Sequence, residues 1–365
     1  MKFDHRYYIP CLRWKEGECQ AVSRLRNTTK QKFTPLIEVP EIGWDFGKRK
    51  DIRTIDEHLK LFVKRIHKKW GNSPCFVDLT LISPDRRMVN GIHPVRFIFD
   101  ELRTINSQAI PVTGLDRDGA YQKEVKSALS KNNLGLCLRI LIEQAARSSF
   151  KEEIDFLLPS LEISFNNCDF ILDLDTPNFL PLEGFSMAIK AVVSKLPYLG
   201  DWRTFTLLGA SFPKSMGGIK IGITSIPRYE WQLYKILVSN FQKARLRLPT
   251  FGDYAISHPE FSEFDMRLAK PPVKIRYTID DRWYIVKGKN YKDYGYGQYH
   301  ELSKQILNSD YYYGPSFSWG DQYIQECANG GKTGNLTMWV KVDTNHHIEK
   351  VTQDIASFYD SLNTF

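Results

Sequence analysis

At 365 residues, with 42% apolar and 25% charged side chains, the chain has the composition of a soluble globular protein, long enough for one large domain or two ordinary ones and able to bury a core without staples. Fifty Lys and Arg against 42 Asp and Glu leave a net charge of +8, which permits contact with nucleic acid or phosphorylated ligands without demanding it. The six cysteines (Cys11, Cys19, Cys75, Cys137, Cys168, Cys327) form no CxxC pair and argue against a disulfide frame or a zinc site; no signal peptide is visible and no apolar run approaches a membrane span, so the expected location is the cytoplasm.

In chain order, Tyr8 to Trp14 reads as a short extended piece before a helical stretch near 16–25. TPLIEVPEI at 34–42 reads as the first strand, with Pro35 and Pro40 at its ends. The segment 55–70 carries Leu59, Phe62, Val63 and Ile66 at helical spacing, with Asp56 and Glu57 at its start and basic residues at its end. The same unit then repeats: strands at 75–82, 109–116, 134–143, 170–175 and 204–213, each followed by a helical pattern, then a strand at 250–257. The segment 273–279 reads as the eighth strand, folded by Asp280–Asp281 into a hairpin with 282–288, and 297–307 as the last helix.

Comparable strand positions (Glu38, Asp78, Gly114, Arg139, Asp173, Gly209) recur about every 35 residues. Strands alternating with helices imply parallel pairing, and eight such units imply a closed (β/α)8 TIM-like barrel. An open doubly wound α/β sheet is the alternative, disfavoured because it usually stops at five or six strands and no GxGxxG opens the first helix. The expected organisation is a barrel over residues 1–307, with its N-terminal extended segment, and a C-terminal extension at 308–365 packed upon it. The helix of that extension, 344–362, carries Ile348, Val351, Ile355 and Phe358 on one face.

A barrel of this kind places its chemistry at the carboxyl ends of the strands. The polar residues expected there are Glu38, Asp78, Asp116, Arg139, Glu143, Asp173, Asp175, Ser211, Asp253 and, in the eighth hairpin, Arg276 or Lys287. Glu38, Asp78 and Asp173 are predicted to lie within about 10 Å of one another, the scale of a metal or acid/base site. Such a group would hold a hard cation such as Mg²⁺, or crowding would tune one carboxylate as an acid or base. Side chains alternate along a strand, so Asp173 and Asp175 are expected to point the same way. The structural alternative is that these acids cap helices or pair with Arg139 and Arg276.

The stretch KGKNYKDYGYGQYHE at 287–301 is a second candidate. Gly288, Gly295 and Gly297 precede a helix start, and Lys287, Lys289 and Lys292 add charge that would hold phosphate. Tyr291, Tyr294, Tyr296 and Tyr299 add flat faces on which bases would stack, or which simply cover the barrel edge. GGKTGN at 330–335 fails as a P-loop, because Glu326 stands where the pattern wants Gly. His346 and His347 are adjacent on a helix and point about 100° apart, so they do not easily share a metal. His258, after the seventh strand, is better placed for acid or base chemistry, or for capping a helix.

Three regions together carry a resemblance. YIPCLRWKEGE leads to TPLIEVPEI; the middle has FVDL, FILDLD and FGDYAISHPEF; the end has IRYTIDDRWYIVKG, SWGDQYIQECANGGKTGN and TNHHIEKV. In this pattern the chain resembles the beta protein family of prophages and satellite phages. The resemblance implies a role connected with anti-phage defence loci and a cytoplasmic location, and it carries over no catalytic residue. The reading that joins both levels is a barrel enzyme of phage defence, such as a metal-dependent phosphodiesterase or nuclease-like hydrolase. Glu38, Asp78, Asp173, Asp175 and His258 would then serve catalysis, the first three of the four acids on Mg²⁺, with Arg139, Arg276, Lys287, Lys289 and Tyr291 on phosphate. The alternatives are a sensor or partner-binding module of a defence system, and a nucleic-acid binder without chemistry.

Overall fold

The computed structural model describes residues 3–260, 265 and 267–362, so the last three residues of the expected C-terminal extension lie outside the described residues. The chain forms two compact units: Met1–Trp14, Thr34–Ala210 and Glu230–Asp253 make the first, and Lys15–Phe33, Ser211–Tyr229 and Tyr254–Phe365 the second.

The first unit is a closed barrel of eight parallel strands. They are β1 (Tyr8–Leu12), β2 (Leu36–Glu38), β3 (Cys75–Asp78), β4 (Ala109–Thr113), β5 (Leu136–Leu141), β6 (Cys168–Asp173), β7 (Thr204–Gly209) and, after β8 (Gly222–Pro227) of the second unit, β9 (Thr250–Asp253). Barrel neighbours follow chain order from β1 to β7, and β9 closes on β1 with Tyr8 opposite Phe251 and Pro10 opposite Asp253. The short strands are near-continuous apolar runs, as expected where both faces are covered; β6, CDFILD, is buried throughout. The helices between strands begin where the sequence supplies caps. Thr54 and Glu57 form a capping box for Ile55–Lys69, and the Asp118 side chain accepts from the backbone N–H groups of Ala120 and Tyr121. Gly135, at φ 84°, immediately precedes β5, where a Cβ would stand 2.3 Å from the Asn167 carbonyl oxygen, so no other residue fits.

One expectation is corrected here. The strand that closes the barrel is Tyr8–Leu12, at the start of the chain, and not 273–279. The apolar run YIPCL, ending at Arg13, repeats the pattern of the other barrel strands. The 273–288 hairpin instead lies in an antiparallel sheet of the second unit, in the order β8, β11 (Arg282–Asn290), β10 (Pro272–Ile279).

In that sheet the two faces differ. Val273, Ile275, Tyr277, Tyr284 and Val286 pack with Tyr299, Leu302, Ile324, Trp339 and Val342 from the helices Gln298–Leu307, Trp319–Ala328 and Leu336–Leu362. The opposite face carries Trp283 and Ile285 against Phe212 and Met216. The helix Glu16–Ser23 lies against Leu336–Leu362, closely enough at Gly17 that a Cβ would stand 2.7 Å from Val340 Cγ1. Nearby, Glu349 accepts from Arg26 at 2.6 Å and from the Thr29 hydroxyl at 2.6 Å. Leu336–Leu362 is an unusually polar buried helix: every residue from Lys341 to Thr352 is buried. Several of its polar groups have partners, such as His346, whose Nδ1 stands 2.8 Å from Asp321, which also accepts from the Tyr277 hydroxyl at 2.5 Å. No helix among the described residues is long and apolar enough to cross a membrane.

Candidate functional site at the carboxyl end of the barrel

The ends of β2, β3 and β6 place Glu38, Asp78 and Asp173 around a single guanidinium. Glu38 and Asp78 are register partners on adjacent strands. Arg139, from the middle of β5, donates Nε to Asp173 Oδ2 at 2.8 Å, and Nη1 to Glu38 Oε1 at 2.8 Å and to Asp78 Oδ2 at 3.0 Å. Its Nη2 is also 2.8 Å from Asp173 Oδ2. The backbone completes the cage: Thr80 N–H donates to Asp78 Oδ1 and Asp175 N–H to Asp173 Oδ1, both at 2.9 Å.

Two further arginines flank the cluster, and neither was singled out from the sequence. Arg13, one residue past β1, has Nε 3.7 Å from Glu38 Oε2. Arg117 reaches Asp78 with Nη2 at 3.3 and 3.4 Å and Asp116 with Nη1 at 2.7 Å. The Arg117 side chain is only 10% exposed, yet its Nε has no hydrogen-bond partner. Burial opposes its charge, but Asp78, Tyr121 and Asp116 outweigh that and raise its pKa. The Tyr121 hydroxyl, whose pKa is raised by burial and then by Asp78, donates to the Val112 carbonyl at 2.9 Å. Beneath the cluster, Cys11 is buried and its thiol is pushed up by burial first and by Glu38 next, so it is inert at neutral pH.

The three carboxylates do not fit a divalent cation. The space between them is filled by a cation already, and among the described residues no group of three or more His, Cys, Asp or Glu side chains is arranged to hold a metal ion. Other expected rim residues are elsewhere. Asp175 does not share a face with Asp173: β6 ends at Asp173, and Asp175 is exposed at φ 54°. Asp253 accepts from the Tyr8 hydroxyl, on the side of β9 where Phe251 meets Trp231 and Tyr234 of the helix Tyr229–Ala244. Glu143 lies in the short helix Ile142–Ala145 beyond β5.

Ser211, His258, Arg276, Lys287, Lys289 and Tyr291 belong to the second unit, and the hairpin that carries Arg276, Lys287 and Lys289 is not a barrel strand. Ser211 Oγ accepts from Tyr229 N–H at 2.9 Å, and His258 Nδ1 from Glu260 N–H at 3.0 Å. Lys287 Nζ donates to the carbonyls of Met216 and Ile219, and Lys289 Nζ lies 4.4 Å from the Tyr294 ring. Tyr291 stacks on Tyr296 at 4.9 Å and Tyr299 on Trp339 at 4.2 Å, so those rings already have partners.

A family model described as Beta protein matches residues 8–353, nearly the whole chain. The chain belongs to the Beta protein family. No curated protein matches it. In this member of the family the carboxyl end of the barrel carries three arginines and four acids, Asp116 among them, in one network.

A cavity lies at the other end. It measures about 930 Å³ and is lined by Asp4, His5 and Tyr7 before β1, Trp202 and Arg203 before β7, and Arg247 before β9. Its two guanidiniums are committed to structure. Arg203 pairs with Asp169 at 2.5 Å, and Arg247, whose pKa burial lowers, donates to the carbonyls of Leu199, Trp202 and Arg203. The amino end of such barrels serves stability, so the carboxyl end is the better site.

Proposed function

We propose that the protein recognises a phosphorylated ligand, a nucleotide or a nucleic-acid end, at the carboxyl end of its barrel, and does so in anti-phage defence. The observation that carries this reading is Arg117: a side chain nine-tenths buried, held by the half-exposed Asp116 at 2.7 Å and only loosely by Asp78, with a buried Nε that has no acceptor. An incoming phosphoryl group supplies the acceptor that Nε lacks and competes with Asp78 for Nη2, since Arg pairs phosphate and carboxylate by the same fork geometry. Arg139 then keeps the three acids in place while Arg117 turns outward. The defence role rests on the sequence's resemblance to the beta protein family of prophages and satellite phages; the family model itself, which matches residues 8–353, names no role.

A hydrolytic reading has its own support: the cluster lies where barrels of this fold carry out chemistry, and Glu38 or Asp173 would take the proton of an attacking water. The cage around Arg139 favours recognition over catalysis, because each acid is already engaged by a guanidinium. The test is calorimetric titration of the full chain with nucleoside di- and triphosphates and a 5′-phosphorylated oligonucleotide, beside a plaque assay. Recognition predicts that Arg117→Gln weakens binding at least tenfold and removes protection, while folded Asp173→Asn keeps both. Loss of protection in Asp173→Asn with binding intact would transfer the case to the hydrolase. Equal binding by wild type and Arg117→Gln would contradict recognition through Arg117.

A further inference from the structure

The second unit holds a group of cations that the barrel reading does not use. Strand alternation puts Lys274, Arg276 and Thr278 of β10 on the same face as Trp283, Ile285 and Lys287 of β11, and Lys274 lies directly opposite Lys287 in the antiparallel register. Like charges directly opposite one another on a sheet are destabilising, so this pair needs an explanation. Arg276 is aimed by its neighbours: Nε donates to Asp343 Oδ2 at 2.7 Å and Nη1 to the Ile256 carbonyl at 3.5 Å. Lys287 is steadied by the carbonyls of Met216 and Ile219, which leave its charge uncancelled. Lys274 Nζ makes no hydrogen bond or ion pair among the described residues, and Asp343 is the one carboxylate that acts on it, against Arg276 and Lys287. Three cations thus face a single buried carboxylate.

We propose that Lys274, Arg276 and Lys287 form a binding site for a phosphoryl group, separate from the barrel rim. A tetrahedral dianion suits this set: Arg276 offers the unused end of a fixed fork, and two ammonium groups supply point charges from the neighbouring strand positions. Asp343 is a positioning residue that holds the guanidinium by Oδ2; its buried Oδ1 has no partner. The ligand phosphoryl cancels the repulsion between Lys274 and Lys287, which is why an otherwise unfavourable pair is retained. The desolvation that pushes the Lys274 amine down to about 8 also leaves a fraction of it unprotonated and nucleophilic near neutral pH, which supplies a local readout.

The test uses the full chain and pyridoxal 5′-phosphate, whose aldehyde condenses with a free amine with loss of water and whose phosphate mimics the ligand. Borohydride then delivers hydride to the imine carbon and fixes a secondary amine that peptide mass spectrometry can locate. Lys274 is expected to be labelled ahead of every exposed lysine at pH 7.5, and inorganic pyrophosphate or ADP is expected to protect it at least tenfold. Stronger protection by ADP than by pyrophosphate assigns the phosphoryl to a nucleotide, and equal protection assigns it to phosphate alone; both uphold the site. The variant Arg117→Gln should keep this protection, which separates the site from the barrel rim, and Arg276→Gln should lose it while melting cooperatively. Labelling spread over the exposed lysines, absence of protection by either anion, or loss of protection in Arg117→Gln would overturn the proposal.

Discussion

The carboxyl end of the barrel and the cationic face of the second unit are both built from charged side chains on strands, but they are balanced in opposite ways. At the barrel, Arg139 stands among Glu38, Asp78 and Asp173 with contacts of 2.8–3.0 Å, and each charge has an opposite partner. On β10 and β11, Lys274 stands opposite Lys287 and beside Arg276, with Asp343 alone to offset them. A balanced buried network holds strand ends in place and is costly to break, whereas an unbalanced one stores unfavourable energy that a ligand of the right sign relieves. The first region should therefore reveal itself through stability and the second through binding.

The largest effect separates them directly. Arg139→Met should destabilise the fold by about 3–5 kcal/mol, because it removes the guanidinium that three buried carboxylates share. Urea unfolding would measure it, and adding Glu38→Gln, Asp78→Asn and Asp173→Asn to the same chain should restore part of the loss. If Arg139→Met melts like wild type, the network does not bear on the fold.

Lys274→Met should act in the other direction. The folded-state pKa of about 8 lies below the unfolded value near 10.5, so the folded chain binds fewer protons between these values and stability rises with pH across that window. At pH 7 the cation is a net cost, and Lys274→Met should stabilise the protein by about 1–3 kcal/mol, a gain that shrinks by pH 10. Asp343 has the reverse profile. Burial raises its carboxyl to about 6 despite Arg276, so the folded chain holds more protons from about pH 4 to 6. Stability should fall through that range by up to about 3 kcal/mol, a slope that urea melts of Asp343→Asn should lack.

Much of the barrel was legible because β/α alternation leaves a repeat of apolar runs and helical faces, and β2 to β7 lie where that repeat places them. The eighth strand was misread for a physical reason. YIPCL is five residues long, and the hairpin at 272–290 is longer and richer in β-branched and aromatic residues, so local pattern favours the wrong partner; only parallel register with Phe251 and Leu36 identifies Tyr8–Leu12. Glu38, Asp78, Arg139 and Asp173 could be named because they terminate or interrupt apolar runs. Arg13 and Arg117 sit just past strand ends, in loops whose direction the sequence does not encode. Lys274 was invisible because its significance lies in the partner it lacks, and Asp175 was misplaced because a left-handed residue after Leu174 breaks the alternation.

The smallest stability change is expected at Arg117. Its contacts with Asp78 are long, Asp78 keeps Arg139 and the Thr80 N–H, and its closer partner Asp116 is half-exposed, so Arg117→Gln should cost about 1 kcal/mol or less in a thermal melt while altering nucleotide binding. A large loss of stability would make Arg117 part of the structural network and remove it from recognition.

The contrast between the two regions rests most directly on the charge state of one amine. Titration of the full chain with its lysines carrying ¹³C-methyl groups, with Lys274→Arg to assign the resonance, reads that state by NMR. A midpoint near 8 for Lys274, moving upward when pyrophosphate is added, is the predicted result. A midpoint near the ordinary lysine value of about 10.4, unchanged by the anion, would mean that the charge of Lys274 is already compensated and would contradict the difference drawn between the barrel and the second unit.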